Sequence, residues 1–104
     1  VKQLTEEILA FNEARGWSRG NRDARSLSIS ISLEAAELLE HFQWRSGEEA
    51  LRQDREAIED EAADVFIYLL QFADVLGIDL EEAARRKMAK NALKYPAPER
   101  EDVR

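Results

Sequence analysis

Four acids in the chain carry a spacing that can do chemistry. Glu34 and Glu37 lie in Ser32-Leu33-Glu34-Ala35-Ala36-Glu37-Leu38-Leu39, and Glu61 and Asp64 in Glu59-Asp60-Glu61-Ala62-Ala63-Asp64-Val65-Phe66. Each pair is an acid-x-x-acid, one helical turn apart, set in an apolar run. On neighbouring helices the two pairs can gather four carboxylates around one point. A hard divalent cation takes such all-oxygen ligation, and phosphate chemistry uses such cations.

Helical geometry indicates where the acids point. At about 100° per residue, Ile31, Ala35, Leu38, Leu39 and Phe42 form the apolar face of one helix. Glu34 lies roughly 80° from its centre and Glu37 roughly 140° away, on the same side. In the other helix Ile58, Ala62, Val65, Phe66, Leu69, Phe72 and Leu76 form the core face. Glu61 and Asp64 stand roughly 75° and 135° from that centre, with the same hand. His41 and Trp44 continue the first strip; Tyr68 and Gln71 continue the second. Antiparallel neighbours related by a local two-fold bring both strips to one seam.

Taken alone, either pair fits an ordinary solvated helix face, where like charges cost little. Gathering all four is different. One like-charge pair at 4 Å costs about 1 kcal/mol in bulk water and about 4 kcal/mol at an effective dielectric near 20. A cluster of this kind calls for a compensating cation or raised carboxyl pKa values. Oxygen-only ligands favour Mg²⁺ or Mn²⁺ over zinc. A di-iron bundle needs two Glu-x-x-His pairs, whereas this chain has one histidine, His41, four residues after Glu37. With no cysteine, thiolate metal sites and cysteine nucleophiles are excluded.

The elements that position these acids are all helical. Ala, Leu, Glu and Arg dominate, and four Gly and two Pro among 104 residues leave room for few turns. Leu4, Ile8, Phe11 and Ala14 recur at helical spacing, so residues 1–15 are expected to form a helix ending at Gly16. A polar loop over 17–25 follows, with Trp17 and three arginines. Residues 26–33 alternate serine with apolar residues, a strand signal. No second strand exists to pair with them, and they run directly into Glu34–Leu39, so a helix over 26–43 is expected. A short helical turn over 48–55 and a long helix over 54–76, stopped by Gly77, come next. Asp79 with Glu82 forms a capping-box pattern for a last helix ending near Lys94. Pro96 and Pro98 close residues 1–98 as a single domain, and 99–104 form a charged tail. Short connections make the helices mostly antiparallel neighbours.

Net charge is −7, which argues against a DNA- or RNA-binding face but not against a nucleotide held through a cation. With no secretory or membrane-length apolar run, a cytoplasmic protein with no membrane partner is expected.

With these motifs in order, the chain resembles the MazG-like nucleoside triphosphate pyrophosphohydrolases, in particular their small dCTP-pyrophosphatase-type branch. Glu34-x-x-Glu37 followed by Glu61-x-x-Asp64 matches the metal motif. Glu37-Leu38-Leu39-Glu40-His41-Phe42-Gln43-Trp44 resembles the segment ending in Phe-Gln-Trp. Asp64-Val65-Phe66-Ile67-Tyr68-Leu69-Leu70 resembles the run after the second pair. Lys87-x-x-x-Asn91-x-x-Lys94-Tyr95-Pro96 resembles the closing motif. The likeness spans about residues 4 to 98.

The resemblance implies an all-α, four-helix MazG-like bundle completed by oligomerisation, as a homodimer or homotetramer. It implies hydrolysis of a (deoxy)nucleoside triphosphate to the monophosphate and pyrophosphate, in a house-cleaning or pool-controlling role. Glu34, Glu37, Glu61 and Asp64 would hold Mg²⁺, which offsets phosphate charge and acidifies the attacking water. Glu37 or Glu34 would serve as catalytic carboxylate. Lys87, Asn91 and Lys94 would contact phosphate or sugar, Trp44 and Tyr68 would flank the base, and Trp17 and Arg22 would contribute from the loop. Where the branch carries His-x-Pro-Arg-Asn-Leu, this chain has Arg22-Asp23-Ala24-Arg25-Ser26-Leu27. That departure weakens the expectation of strict dCTP preference and leaves the metal chemistry untouched. His41 also replaces a usually apolar residue. Two rivals are a phosphoribosyl-ATP pyrophosphohydrolase and a non-catalytic acidic helical protein that binds a partner through its bundle face.

Overall fold

A computed structural model of the chain describes residues 1–17 and 22–98. Four helices account for the order among them: α1 (Lys2–Ala14), α2 (Ala24–Glu40), α3 (Gly47–Leu76) and α4 (Leu80–Lys94). The expectations for residues 18–21 of the polar loop and for the tail 99–104 fall outside the described residues.

Three of the four helices open on a side-chain cap, and α1, which follows Val1, does not. The Asp23 carboxylate accepts from the Ser26 N–H at 2.7 Å and opens α2. The Ser46 hydroxyl accepts from Glu49 N–H at 3.1 Å, and Asp79 from Glu82 N–H at 3.1 Å, opening α3 and α4. These side chains satisfy amides that the first helical turn leaves without partners. α3 ends at Gly77, which takes the left-handed conformation at φ 68 and ψ 33.

Three boundaries differ from the sequence reading. α2 begins at Ala24 rather than 26, because Asp23 is its cap, and stops at Glu40 rather than 43. The expected separate turn at 48–55 is continuous with the long helix, interrupted only by a kink at Asp54 (φ −135, ψ 37). Arg45 spans that kink: its guanidinium donates to Asp54 at 2.6 Å and to Gln53 at 2.8 Å. The serine alternation of 26–33 is helical. Ser28 Oγ donates to Arg25 O at 2.7 Å and Ser32 Oγ to Ser28 O at 3.0 Å, so these hydroxyls turn back onto the helix's own carbonyls.

α2 and α3 form the main packing pair, and α1 lies against α3. Arg45 meets Asp54, and Arg22 meets Asp74. Pairs whose numbers fall along α2 and rise along α3 make the two helices antiparallel. The core is small: Ile8, Leu27, Ala50, Ile58, Leu70 and Ala73 are buried, joined by Asn12 and Gln71. The expected core face of α3 is only partly covered. Ile58 is buried, but Phe66 and Leu76 are exposed, as is Leu39 of α2. Burial follows instead the sides of α3 that α1 and α2 cover, which is why Leu70 and Ala73 are inside.

α4 buries none of its residues. The radius of gyration is 17.9 Å, against about 13 Å for a compact chain of this length. No helix among the described residues is long and apolar enough to cross a membrane.

Gly77 is the turn on which the departure of α4 from α3 depends. Nothing lies within 4 Å of an added Cβ there, so Gly77→Ala meets only the backbone penalty of the left-handed region. Chemical denaturation is expected to show a loss of about 1 kcal/mol, with the circular-dichroism signature of the folded protein retained.

Candidate metal centre and adjoining clefts

The α2–α3 seam brings three of the four expected acids together. One carboxylate oxygen from each of Glu34, Glu61 and Asp64 lies within 4.8 Å of those from the other two. Glu37, one turn along α2, stands beside Glu34 and shares a hydrogen bond with it. The matching offsets on the two helices therefore meet across one seam.

Their electrostatics are those of an uncompensated cluster. Glu34 is pushed up to about 7, first by the Glu37 hydrogen bond that favours its protonated form, then by lost hydration and the charges of Glu37, Asp64 and Glu61. Glu61 is raised as well, mainly by lost hydration and then by Glu37 and Asp64, while His41 pulls it the other way. One oxygen of Glu61, Oε2, is sealed from water and has no hydrogen-bond partner. An orphaned anionic oxygen beside two further carboxylates fits a hard cation, which such groups coordinate without needing a proton. Glu34, Glu61 and Asp64 are the acids whose oxygens could hold such a cation, with Glu37 beside them.

Two clefts flank the acids. One, of about 500 Å³, is lined by Glu37, Glu40, His41, Trp44, Arg45 and Glu61. Trp44 sits at its rim, 90% exposed. The other, of about 870 Å³, runs between α1, the start of α2, and α3; its walls include Phe11, Trp17, Arg22, Asp64, Tyr68 and Gln71. Phe11 and Trp17 meet edge to face, with ring centroids 5.9 Å apart. The Arg15 guanidinium covers the Phe11 ring at 3.5 Å.

Trp44 and Tyr68, expected to flank one base, thus line different clefts. Tyr68 shares its cleft with Trp17 and Arg22. Lys87, Asn91 and Lys94 lie on α4 and line neither cleft. A single chain does not bring them to the acids.

Sequence reasoning missed the buried amide pair at the far end of the larger cleft, where Asn12 Nδ2 donates to Gln71 Oε1 at 3.0 Å. One signal was present. Asn12 follows Ile8 by four residues and so falls in the apolar row of the first helix. Arg45, which lines the smaller cleft and spans the α3 kink, carried no comparable mark.

Antiparallel helices that pool acid-x-x-acid pairs in an all-α chain define a class of carboxylate-rich helical proteins. A model of the MazG-like family matches residues 29–104, and the chain belongs to that family. Among relatives, dCTP pyrophosphatase 1 of Mus musculus is 35% identical over 101 residues, covering 92% of this chain and 57% of the relative. The Homo sapiens protein of that name is 35% identical over 102 residues, covering 93% and 58%. The chain therefore spans somewhat over half the length of these curated relatives. A crystal structure of a pyrophosphatase from Archaeoglobus fulgidus superposes with a TM-score of 0.85 at 44% identity, covering 92% of each chain.

The raised Glu34 carboxyl has a consequence for pH. Its folded value, about 7, exceeds the ordinary value of 4.5, so the folded state holds the proton more tightly. Its contribution to stability is full below about pH 4.5 and is lost as pH rises through about 7. Thermal melts in chelator are expected to show stability falling across that window, with the fall reduced in Glu34→Gln. Added Mg²⁺ is expected to raise the melting temperature most above pH 7, where the ligands are ionised.

Proposed function

We propose that the protein is a divalent-cation-dependent nucleotide pyrophosphohydrolase that cleaves (deoxy)nucleoside triphosphates to the monophosphate and pyrophosphate. The observation that carries this reading is the convergence of Glu34, Glu61 and Asp64 across the α2–α3 seam. The matched relatives named as dCTP pyrophosphatases and the pyrophosphatase with the same fold support it.

Glu34, Glu61 and Asp64 hold the cation, with Mg²⁺ the first candidate and Mn²⁺ the second. When bound, the cation offsets phosphate charge and lowers the pKa of water. Glu37 is placed to accept a proton: it borders the ligand set, hydrogen-bonds Glu34 and opens onto the cleft shared with His41 and Trp44. The larger cleft starts at Asp64 and continues between aromatic side chains, which suits a nucleoside, since every base has a π-face. Trp17 and Tyr68 line it from one chain. Lys87, Asn91 and Lys94 are phosphate or sugar contacts only where a second copy brings α4 to the acids.

That condition agrees with the open packing. Leu33, Leu39, Phe66 and Leu76 are exposed, and α4 leaves Met88 and Leu93 at 68% and 86% exposure. A second copy of the chain would cover them, giving a homodimer or homotetramer. The proposed role is removal of surplus or non-standard nucleotides in the cytoplasm.

A nucleotide panel with Mg²⁺, scored for pyrophosphate release, tests the reaction. Glu61→Gln and Asp64→Asn are expected to lower kcat/KM by at least about a hundredfold, in the range seen when a transition-state charge contact is lost. Glu37→Gln is expected to act chiefly on kcat. Full activity in Asp64→Asn, or no turnover of any nucleotide by folded protein, overturns the reading in favour of a non-catalytic helical protein. Turnover of phosphoribosyl-ATP alone reassigns the substrate. Sedimentation of Leu33→Asp combined with Phe66→Asp is expected to give a smaller species than the unmodified chain.

A further inference from the structure

The turn between α2 and α3 is tied by one side chain. Arg45 donates from Nε to the His41 carbonyl at 2.7 Å, from Nη1 to Gln53 Oε1 at 2.8 Å and from Nη2 to Asp54 Oδ2 at 2.6 Å. The first bond serves a carbonyl at the end of α2, where the helix supplies no amide. The other two fall on the break in α3. Sharp kinks arise at proline, at glycine–serine pairs, at π-bulges or where a side chain intrudes on the helical ladder. Residues 48–60 contain no proline, glycine or serine. The residue out of helical geometry is Asp54, the one that the Arg45 guanidinium holds. A single cation thus joins the end of one arm of the turn to the break in the other.

Trp44 precedes Arg45 at the rim of the smaller cleft, whose lining also includes Glu37, His41 and Glu61. Trp44 is 90% exposed, so packing does not hold it. Its place depends on the backbone of residues 41–46. Arg45 fixes that backbone from both sides, back to His41 and forward to Gln53 and Asp54. Asp54 lies seven residues before Glu61, about 10 Å along α3. The tie therefore refers the indole to the helix that carries Glu61 and Asp64. Arg45 is not presented as a phosphate contact: its charge is paired with Asp54, and each of its three nitrogens donates into the protein. Charge-assisted bonds of this kind are strong, and a planar fork loses little freedom in forming them.

Resting on the nucleotide reading above, we infer that Arg45 is a positioning residue: it holds Trp44 in place at the rim of the smaller cleft, and substrate affinity depends on it through that indole.

Steady-state kinetics in a double-mutant cycle test this. Arg45→Lys keeps a charge beside Asp54 but cannot serve three directions from one nitrogen. It is expected to raise KM about three- to tenfold with kcat nearly unchanged. Trp44→Ala is expected to raise KM by roughly five- to a hundredfold. Because Arg45 acts through Trp44, the double variant should be no worse than Trp44→Ala alone. A side chain that serves only stability lowers the melting temperature and leaves the KM of the folded protein alone, or adds its effect to that of Trp44→Ala. Either result overturns the inference. A second readout needs no turnover. The chain has two tryptophans, so in a Trp17→Phe background time-resolved fluorescence anisotropy reports the motion of Trp44 by itself. Arg45→Lys should enlarge the fast component of the decay, and an unchanged decay overturns the inference even where nucleotides are cleaved. If no nucleotide is turned over, the pyrophosphohydrolase reading fails separately, and the anisotropy decides whether Arg45 holds Trp44. Should Arg45→Lys fail to fold, Asp54→Asn, which leaves the bonds to His41 and Gln53 in place, carries the same comparisons with the same signs and smaller effects.

Discussion

Carboxylates that approach within a few ångströms repel one another, and the α2–α3 seam imposes that approach. Glu34, Glu61 and Asp64 bring one oxygen each within 4.8 Å of the other two. Helix packing elsewhere in the seam leaves them little freedom to separate: Leu27 and Ile58 are buried on either side of the site, and the Arg22–Asp74 and Arg45–Asp54 pairs lie towards its ends. That cost shows in the Glu34 carboxyl, whose pKa is raised to about 7, and in a Glu61 oxygen buried without a partner. A cation among these oxygens would relieve both. The same repulsion suits the seam to a small, highly charged cation.

The second constraint is the shortage of core. Among the described residues only a handful of apolar side chains are buried, and no large one is fully enclosed. α1 and α2 cover two sides of α3, while the outer faces of α2 and α3 and the whole of α4 remain open. A chain of this size is marginal on such burial alone. The lysines and asparagine of the closing motif, Lys87, Asn91 and Lys94, sit on the helix that the chain leaves unpacked. The three acids of the seam, by contrast, meet within one copy.

The cleft lining changes in character along α3. Carboxylates dominate near Glu61 and Asp64, aromatic rings follow beside Tyr68, and the buried amides and Arg22 lie beyond. A ligand with phosphates at one end and a hydrogen-bonding ring at the other matches that order. The polarity of the cleft arises from one long helix whose successive turns present acid, ring and amide to the same side.

Much of this was readable from residue order. The acid spacing, the capping residues Asp79 and Glu82, the stop at Gly77 and the single strand-like run that had no partner all act over one or two helical turns. Local geometry determines them, so the sequence by itself determined four helices, the acids' offsets and the family motifs. Tertiary structure decided what depends on distance between turns far apart in the chain. It left Glu37 at the edge of the three-acid cluster, put Trp44 and Tyr68 in different clefts, paired Asn12 with Gln71, and withheld Lys87, Asn91 and Lys94 from the acids. A helical wheel gives the direction of each side chain around its own axis. It does not give the crossing of α1 over α3 or the departure of α4, and those two placements decide which strips meet.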